Sequence, residues 1–145
     1  MFLKSLTLIM AALYLSVGVA RAEATSPVGT WLTSDGKAHI KIEPCGSNLC
    51  GTIVWLWEPL YPDTGTPKID KNNPEPALRS LPIIGSKIFD MKQDVEGIWR
   101  GGIYNGEDGN TYDANLYGED GKLYLQGCVF FSILCKTQVW VPFKE

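Results

Sequence analysis

The feature that most constrains this chain is its punctuation. From residue 97 to 143 four runs of strand length follow one another, GIWRGGIY, TYDANLYG, KLYLQGCVF and KTQVWVPF, and NGEDGN and GEDG separate the first three. Asn-Gly and Asp-Gly supply the positive φ angles that tight hairpin turns require, so these runs are predicted to pair with their sequence neighbours. Upstream, AHIKIE (38–43) alternates apolar and polar residues, PCGSNLCG turns the chain, and TIVWLWE (52–58) is another β-rich run, with TWLT as a first strand. No stretch carries the period of a long amphipathic helix. The pattern therefore predicts a mainly β chain of about seven to eight strands. An antiparallel up-and-down meander of that size closes into a barrel, either filled by side chains or holding one small ligand; a sandwich is the alternative.

One stretch departs from the pattern. Residues 58–90 hold six of the nine prolines, which predicts a long Pro-rich loop or strand-poor crossover with one helical turn near PEPALRS. A connection of that length is usually functional or mobile.

The N-terminus bears on compartment. MFLK supplies a positive charge, an apolar run follows, and Ala20-Arg21-Ala22 places small residues where a signal peptidase reads them. Residues 1–22 are thus expected to be a cleaved signal peptide and 23–145 a single domain, periplasmic or secreted. The competing membrane anchor is disfavoured by a short run interrupted by Ser16 and Gly18, so no transmembrane span is expected after cleavage. The first cysteine, Cys45, lies too far along to take a lipid. Cleavage removes Lys4 and Arg21 and moves the formal charge from −3 to −5, which argues against a nucleic-acid partner.

In an oxidising compartment four cysteines read as two disulfides. Of the three possible pairings, spacing favours Cys45 with Cys50 and Cys128 with Cys135, each closing a short loop. A metal site would want histidine or further thiolates, and only His39 is present. A redox pair would have two residues between its cysteines, not four or six. Each staple is worth about 2 kcal/mol by loop entropy.

Gly29-Thr30-Trp31 resembles the Gly-x-Trp signature of the calycin barrels, the superfamily of lipocalins, fatty-acid-binding proteins and avidins. More specifically, CGSNLCG, DKNNP, the Pro82 and Gly85 of LPIIG, GGIY, GNTY and GCVFFSILCKTQVW resemble a family of small exported bacterial proteins, the domain of unknown function DUF2147, from about Gly29 to Trp140. That resemblance implies a calycin-like barrel outside the cytoplasm and no established activity. It also implies a basic side chain packed over Trp31, with Lys136 or Lys144 to supply it.

Several residues are candidates for chemistry. Asp70, Asn72 and Asn73 offer oxygens to calcium, yet DKNNPE lacks the spacing of an EF-hand. Asx residues before proline are ordinary turn chemistry, so Asp70, Asn73 and Pro74 are assigned to loop structuring, with no metal and no cofactor expected. Glu58, Asp63, Asp70, Glu75, Asp90 and Asp94 flank the long loop and admit a paired-carboxylate hydrolase, although solvated acids are the stronger expectation. His39 is expected at the rim or facing solvent, and no catalytic residue is assigned. Trp31, Trp55, Trp57, Trp99 and Tyr112 are the candidate lining of a ligand cavity, with Trp55 and Trp57 on one face of their strand. Apolar VFFSIL between the last two cysteines is either covered by the proline loop or a sticky patch.

Three function classes follow, in order. The first is a non-enzymatic binder of a small apolar or amphipathic ligand. The second is an envelope interaction or structural module using the 128–135 tip or the proline loop, and the third a carboxylate-dependent hydrolase.

Overall fold

The computed structural model describes residues 22–130 and 133–144, so the predicted leader up to Arg21 lies outside the described residues. Its strands are β1 (Gly29–Leu32), β2 (Ala38–Cys45), β3 (Asn48–Leu56), β4 (Lys87–Gln93), β5 (Trp99–Asn105), β6 (Asn110–Glu119), β7 (Lys122–Val129) and β8 (Leu134–Pro142). Each pairs antiparallel with its sequence neighbours, and β8 returns to β1 to close a barrel. The predicted up-and-down barrel is therefore the fold, and the sandwich is not. Asp120 and Gly121 form the two-residue β6–β7 turn with φ of 49° and 76°, the geometry that GEDG foretells.

One strand, β4, corrects an expectation. It begins inside the stretch assigned to the proline loop, residues 58–90, which instead ends at Ser86. Gly51 pairs with Phe89 and Thr52 with Lys87, leaving Ile88 as an extra residue opposite no partner. This bulge sets two large apolar residues side by side in sequence and hides the alternation that announces a strand. The helical turn is present as a 3-10 turn over Pro76–Leu78.

Connections alternate between the barrel's two ends. At the end holding the β2–β3, β4–β5 and β6–β7 turns, Trp31, Ile42, Leu49, Met91, Leu116 and Leu123 pack into a solid layer, all nearly inaccessible to solvent. A strap over 23–27 covers this closed end. Thr25 N–H donates to the Gly118 carbonyl at 3.1 Å, Gly121 N–H to Thr25 Oγ1 at 2.8 Å, and Trp31 Nε1 to the Pro27 carbonyl at 2.8 Å. Among the described residues Lys136 does not take the place over Trp31 that the calycin resemblance implies. The indole N–H is satisfied by backbone instead, and Lys136 lines the opposite end of the barrel.

Both local disulfides are formed, Cys45–Cys50 at the closed end and Cys128–Cys135 at the open one. The β1–β8 seam is the shortest pairing, with only Trp31 opposite Pro142 and Leu32 opposite Val141 in register. Among the described residues no helix is long and apolar enough to cross a membrane.

Candidate ligand-binding site

Beyond the packed layer the barrel is hollow. The cavity measures about 1180 Å³, with Ile40, Ile88, Leu125 and Trp140 at its base and Ile53, Ile103 and Tyr112 on its walls. That is room for a lipid-sized or drug-sized molecule. Gly127, inward-facing on β7, is informative because a Cβ built there meets no atom within 4 Å. The wall is bare at this point, in a fold whose interior would otherwise be filled by side chains. Four connections surround the mouth: the β1–β2 turn, the proline loop, the β5–β6 turn and the β7–β8 tip.

The aromatic candidates are distributed rather than gathered. Trp31 belongs to the closed-end layer, and Trp99 packs against that layer beside the strap. Tyr112 is on the cavity wall, its hydroxyl donating to the Asp108 carboxylate. Trp57 stands at the mouth, 69% exposed, just past the end of β3. Trp55 points away from the cavity, and a second bulge explains why. Ile40 pairs with Ile53 but His39 with Trp55, so Val54 is the extra residue and the inward parity of β3 shifts after it. Trp55 stacks on His39 with centroids 4.3 Å apart, and Phe143 covers the other side of the imidazole at 3.8 Å. His39 is therefore nearly buried between rings, not open to solvent as expected. The sequence reading missed the aliphatic lining of Ile40, Ile53, Ile88, Ile103 and Leu125, whose only signal is strand alternation.

The long loop is ordered by the residues predicted to structure it. Asp70 is buried and accepts from Tyr104 Oη and Asn73 Nδ2, each at 2.7 Å. Asn73 Oδ1 accepts the Glu75 N–H at 2.9 Å, while the Asn73 and Pro74 carbonyls accept from Arg79. Asn72 Nδ2 donates to the Glu107 carbonyl at 2.8 Å, fastening the loop to the β5–β6 turn. Burial, then the hydrogen bond to Asp70, pushes the Tyr104 phenol up to about 12. A raised folded-state value means the contribution is whole below the unfolded value of 10.0 and is lost as pH rises from there through about 12. Ultraviolet titration should accordingly find one tyrosine ionising near 12, with the loop releasing alongside it, and Tyr104→Phe should delete that step. Persistence of the step in the variant would assign it elsewhere.

Three other acids of this region are held by partners of their own. Glu58 pairs with Lys68 at 3.5 Å, and Asp90 accepts from Asn48 at 2.6 Å and from Lys87 at 3.3 Å. Arg100 hydrogen-bonds Asp94 and holds its carboxyl below the usual range. Cys45, Cys50 and Asp90 come together at the closed end, but a disulfide offers no thiolate to a metal.

Residues 29–141 match the model of a family described as an uncharacterized protein conserved in bacteria, DUF2147. The chain belongs to that family. In three dimensions this DUF2147 barrel is similar to protein HP1028 from the human pathogen Helicobacter pylori, described as belonging to the lipocalin family. The TM-score is 0.69 at 20% sequence identity, covering 83% of this chain and 84% of that one. At such identity the likeness establishes a shared calycin-like barrel. Comparison with curated proteins gives no match.

Proposed function

We propose that this DUF2147 protein is an exported, non-enzymatic carrier or sequestering protein for one small apolar or amphipathic molecule held inside its barrel. Cleavage of residues 1–22 would deliver 23–145 to the periplasm or the medium. The observation that carries the binding reading is the hollow open end, walled by aliphatic side chains and left bare at Gly127. Apolar surface facing a confined void gains by contact with an apolar guest. Two short-range disulfides, which persist in oxidising compartments, support the export reading.

The test is native mass spectrometry of gently purified protein, repeated after denaturation, on the wild type and on Gly127→Trp. The indole would fill the void without meeting a neighbour at its Cβ. The expected result is excess mass on the native wild type that denaturation removes, and none on a Gly127→Trp protein of unchanged circular dichroism. Failure of the wild type both to carry such mass and to take up the neutral dye Nile red would end the binding reading.

A second reading has its own observation. Phe130, Ile133 and Leu134 at the β7–β8 tip are 73%, 83% and 62% exposed. The proline loop does not cover these three side chains, which favours an envelope interaction module as the alternative.

A further inference from the structure

The cavity is graded along β8. Alternate residues of a strand face the same side, and Trp140, Gln138 and Lys136 all line the interior, stepping toward the mouth about 7 Å at a time. Trp140 at the base is apolar over its ring, and its Nε1 donates to Gln138 Oε1 at 3.1 Å. That bond leaves the Gln138 amide nitrogen as a donor midway up. Lys136 then ends the series with a full positive charge at the rim.

The space beside Lys136 is open. In register it stands directly across from Gly127, where the wall carries no side chain. Among the described residues Lys136 makes no ion pair, and several neighbouring mouth charges are engaged. Lys68 pairs with Glu58, Asp70 is held by Tyr104 and Asn73, and Asp35 accepts from Thr33 Oγ1 and the Lys37 N–H. Lys37 and Glu107 also make no ion pair among the described residues, but they sit on the β1–β2 and β5–β6 turns, so Lys136 is the unpaired mouth charge at an inward strand position.

Resting on the binding reading above, we propose that the occupant is an anionic amphiphile, with its apolar chain against Trp140, Leu125 and Ile88 and a carboxylate or phosphate head at Lys136. Lys136 is exposed at the rim, so its charge reaches a head group there while the apolar chain lies in the cavity below.

The experiment displaces Nile red from the mature protein with four single-chain probes of equal length: palmitate, hexadecyl phosphate, hexadecanol and hexadecyltrimethylammonium, all below their micelle concentrations. The two anions should displace the dye at concentrations about tenfold lower than hexadecanol, as expected for one charge-assisted hydrogen bond. The quaternary ammonium should be the weakest. Lys136→Glu should raise the anion midpoints at least tenfold and leave hexadecanol unchanged, and Lys136→Arg should restore them. The order of palmitate and hexadecyl phosphate tells a carboxylate head from a phosphate one. Equal midpoints for anions and alcohol, preference for the quaternary ammonium, or anion midpoints insensitive to Lys136→Glu would each overturn the head-group assignment while leaving the barrel a binder. A wild-type barrel that takes up no dye would instead remove the binding reading itself.

Discussion

Trp140→Ala is expected to lower the free energy of unfolding by about 3–5 kcal/mol. Trp140 is 2% exposed and stands where the solid layer gives way to the cavity, opposite Leu123 in register on β7. Most large-to-small core substitutions are softened by partial collapse of neighbours into the space. Here one side of the indole already faces a void, so removal would join the new hole to the old one and little would move in. Gln138 would also lose the indole donor that it now accepts. Urea unfolding of oxidised protein, followed by far-ultraviolet circular dichroism, measures the difference. Trp57→Ala is the control, because a 69% exposed ring past a strand end should change stability by no more than about 0.5 kcal/mol. A loss below about 1 kcal/mol in Trp140→Ala would show that the base of the cavity is not packed as described.

Gly109→Val should unfasten the proline loop. Gly109 has φ +75°, a left-handed conformation that is costly for a β-branched residue, and its Cβ would lie 2.1 Å from the Asn72 carbonyl oxygen. Backbone cannot retreat as a side-chain tip can. The loop must lift from the β5–β6 turn, breaking the Asn72 bonds to the Gly106 and Glu107 carbonyls and straining the Asp70–Tyr104 bond behind them. A loss of about 2–3 kcal/mol is expected, together with faster hydrogen exchange at the amides of Lys68, Asp70, Asn73 and Ile83, which are now bonded within the loop and to its base. Gly36→Ala separates the two causes. Its φ is +72° but nothing lies within 4 Å of its Cβ, so it should show backbone strain of about 1 kcal/mol with loop protection intact. Equal behaviour of the two variants would mean that the contact at Asn72 does not hold the loop.

The strands legible from sequence were those that kept a strict alternation or were bounded by Asp-Gly and Asn-Gly turns. β6 and β7 are read almost to the residue because Asp120-Gly121 fixes their register. β4 was hidden for the opposite reason, since the bulge at Ile88 breaks the period of two, and the six preceding prolines weight the reading toward loop. The same physics governs the site. A single extra residue at Val54 turns Trp55 to the outside and onto His39, and no composition or spacing signals it. Sequence also favours aromatic rings as a cavity lining because they are conspicuous, whereas the interior here is mostly isoleucine and leucine, which look like any core. The Asp70, Asn73 and Pro74 assignment rested on local side-chain-to-backbone bonding, and their hydrogen bonds lie largely within a few residues, the kind of interaction that sequence carries best. Tyr104, the long-range partner of Asp70, has no sequence signal at all.

The short seam between β1 and β8 sets the direction in which this molecule comes apart. A closed barrel has no free edge, and this one has a single line along which an edge is easiest to make, two register pairs wide. Neither disulfide crosses that line, because each sits within one hairpin. Parting there would leave β2 to β8 as one continuous ribbon with its neighbour pairings intact, while β1 swings out on the strap that precedes it. The exposed edge of β8 would then offer its unpaired backbone to a β1 from another molecule as well as to its own, so the same few residues that close the barrel are also its route to strand exchange.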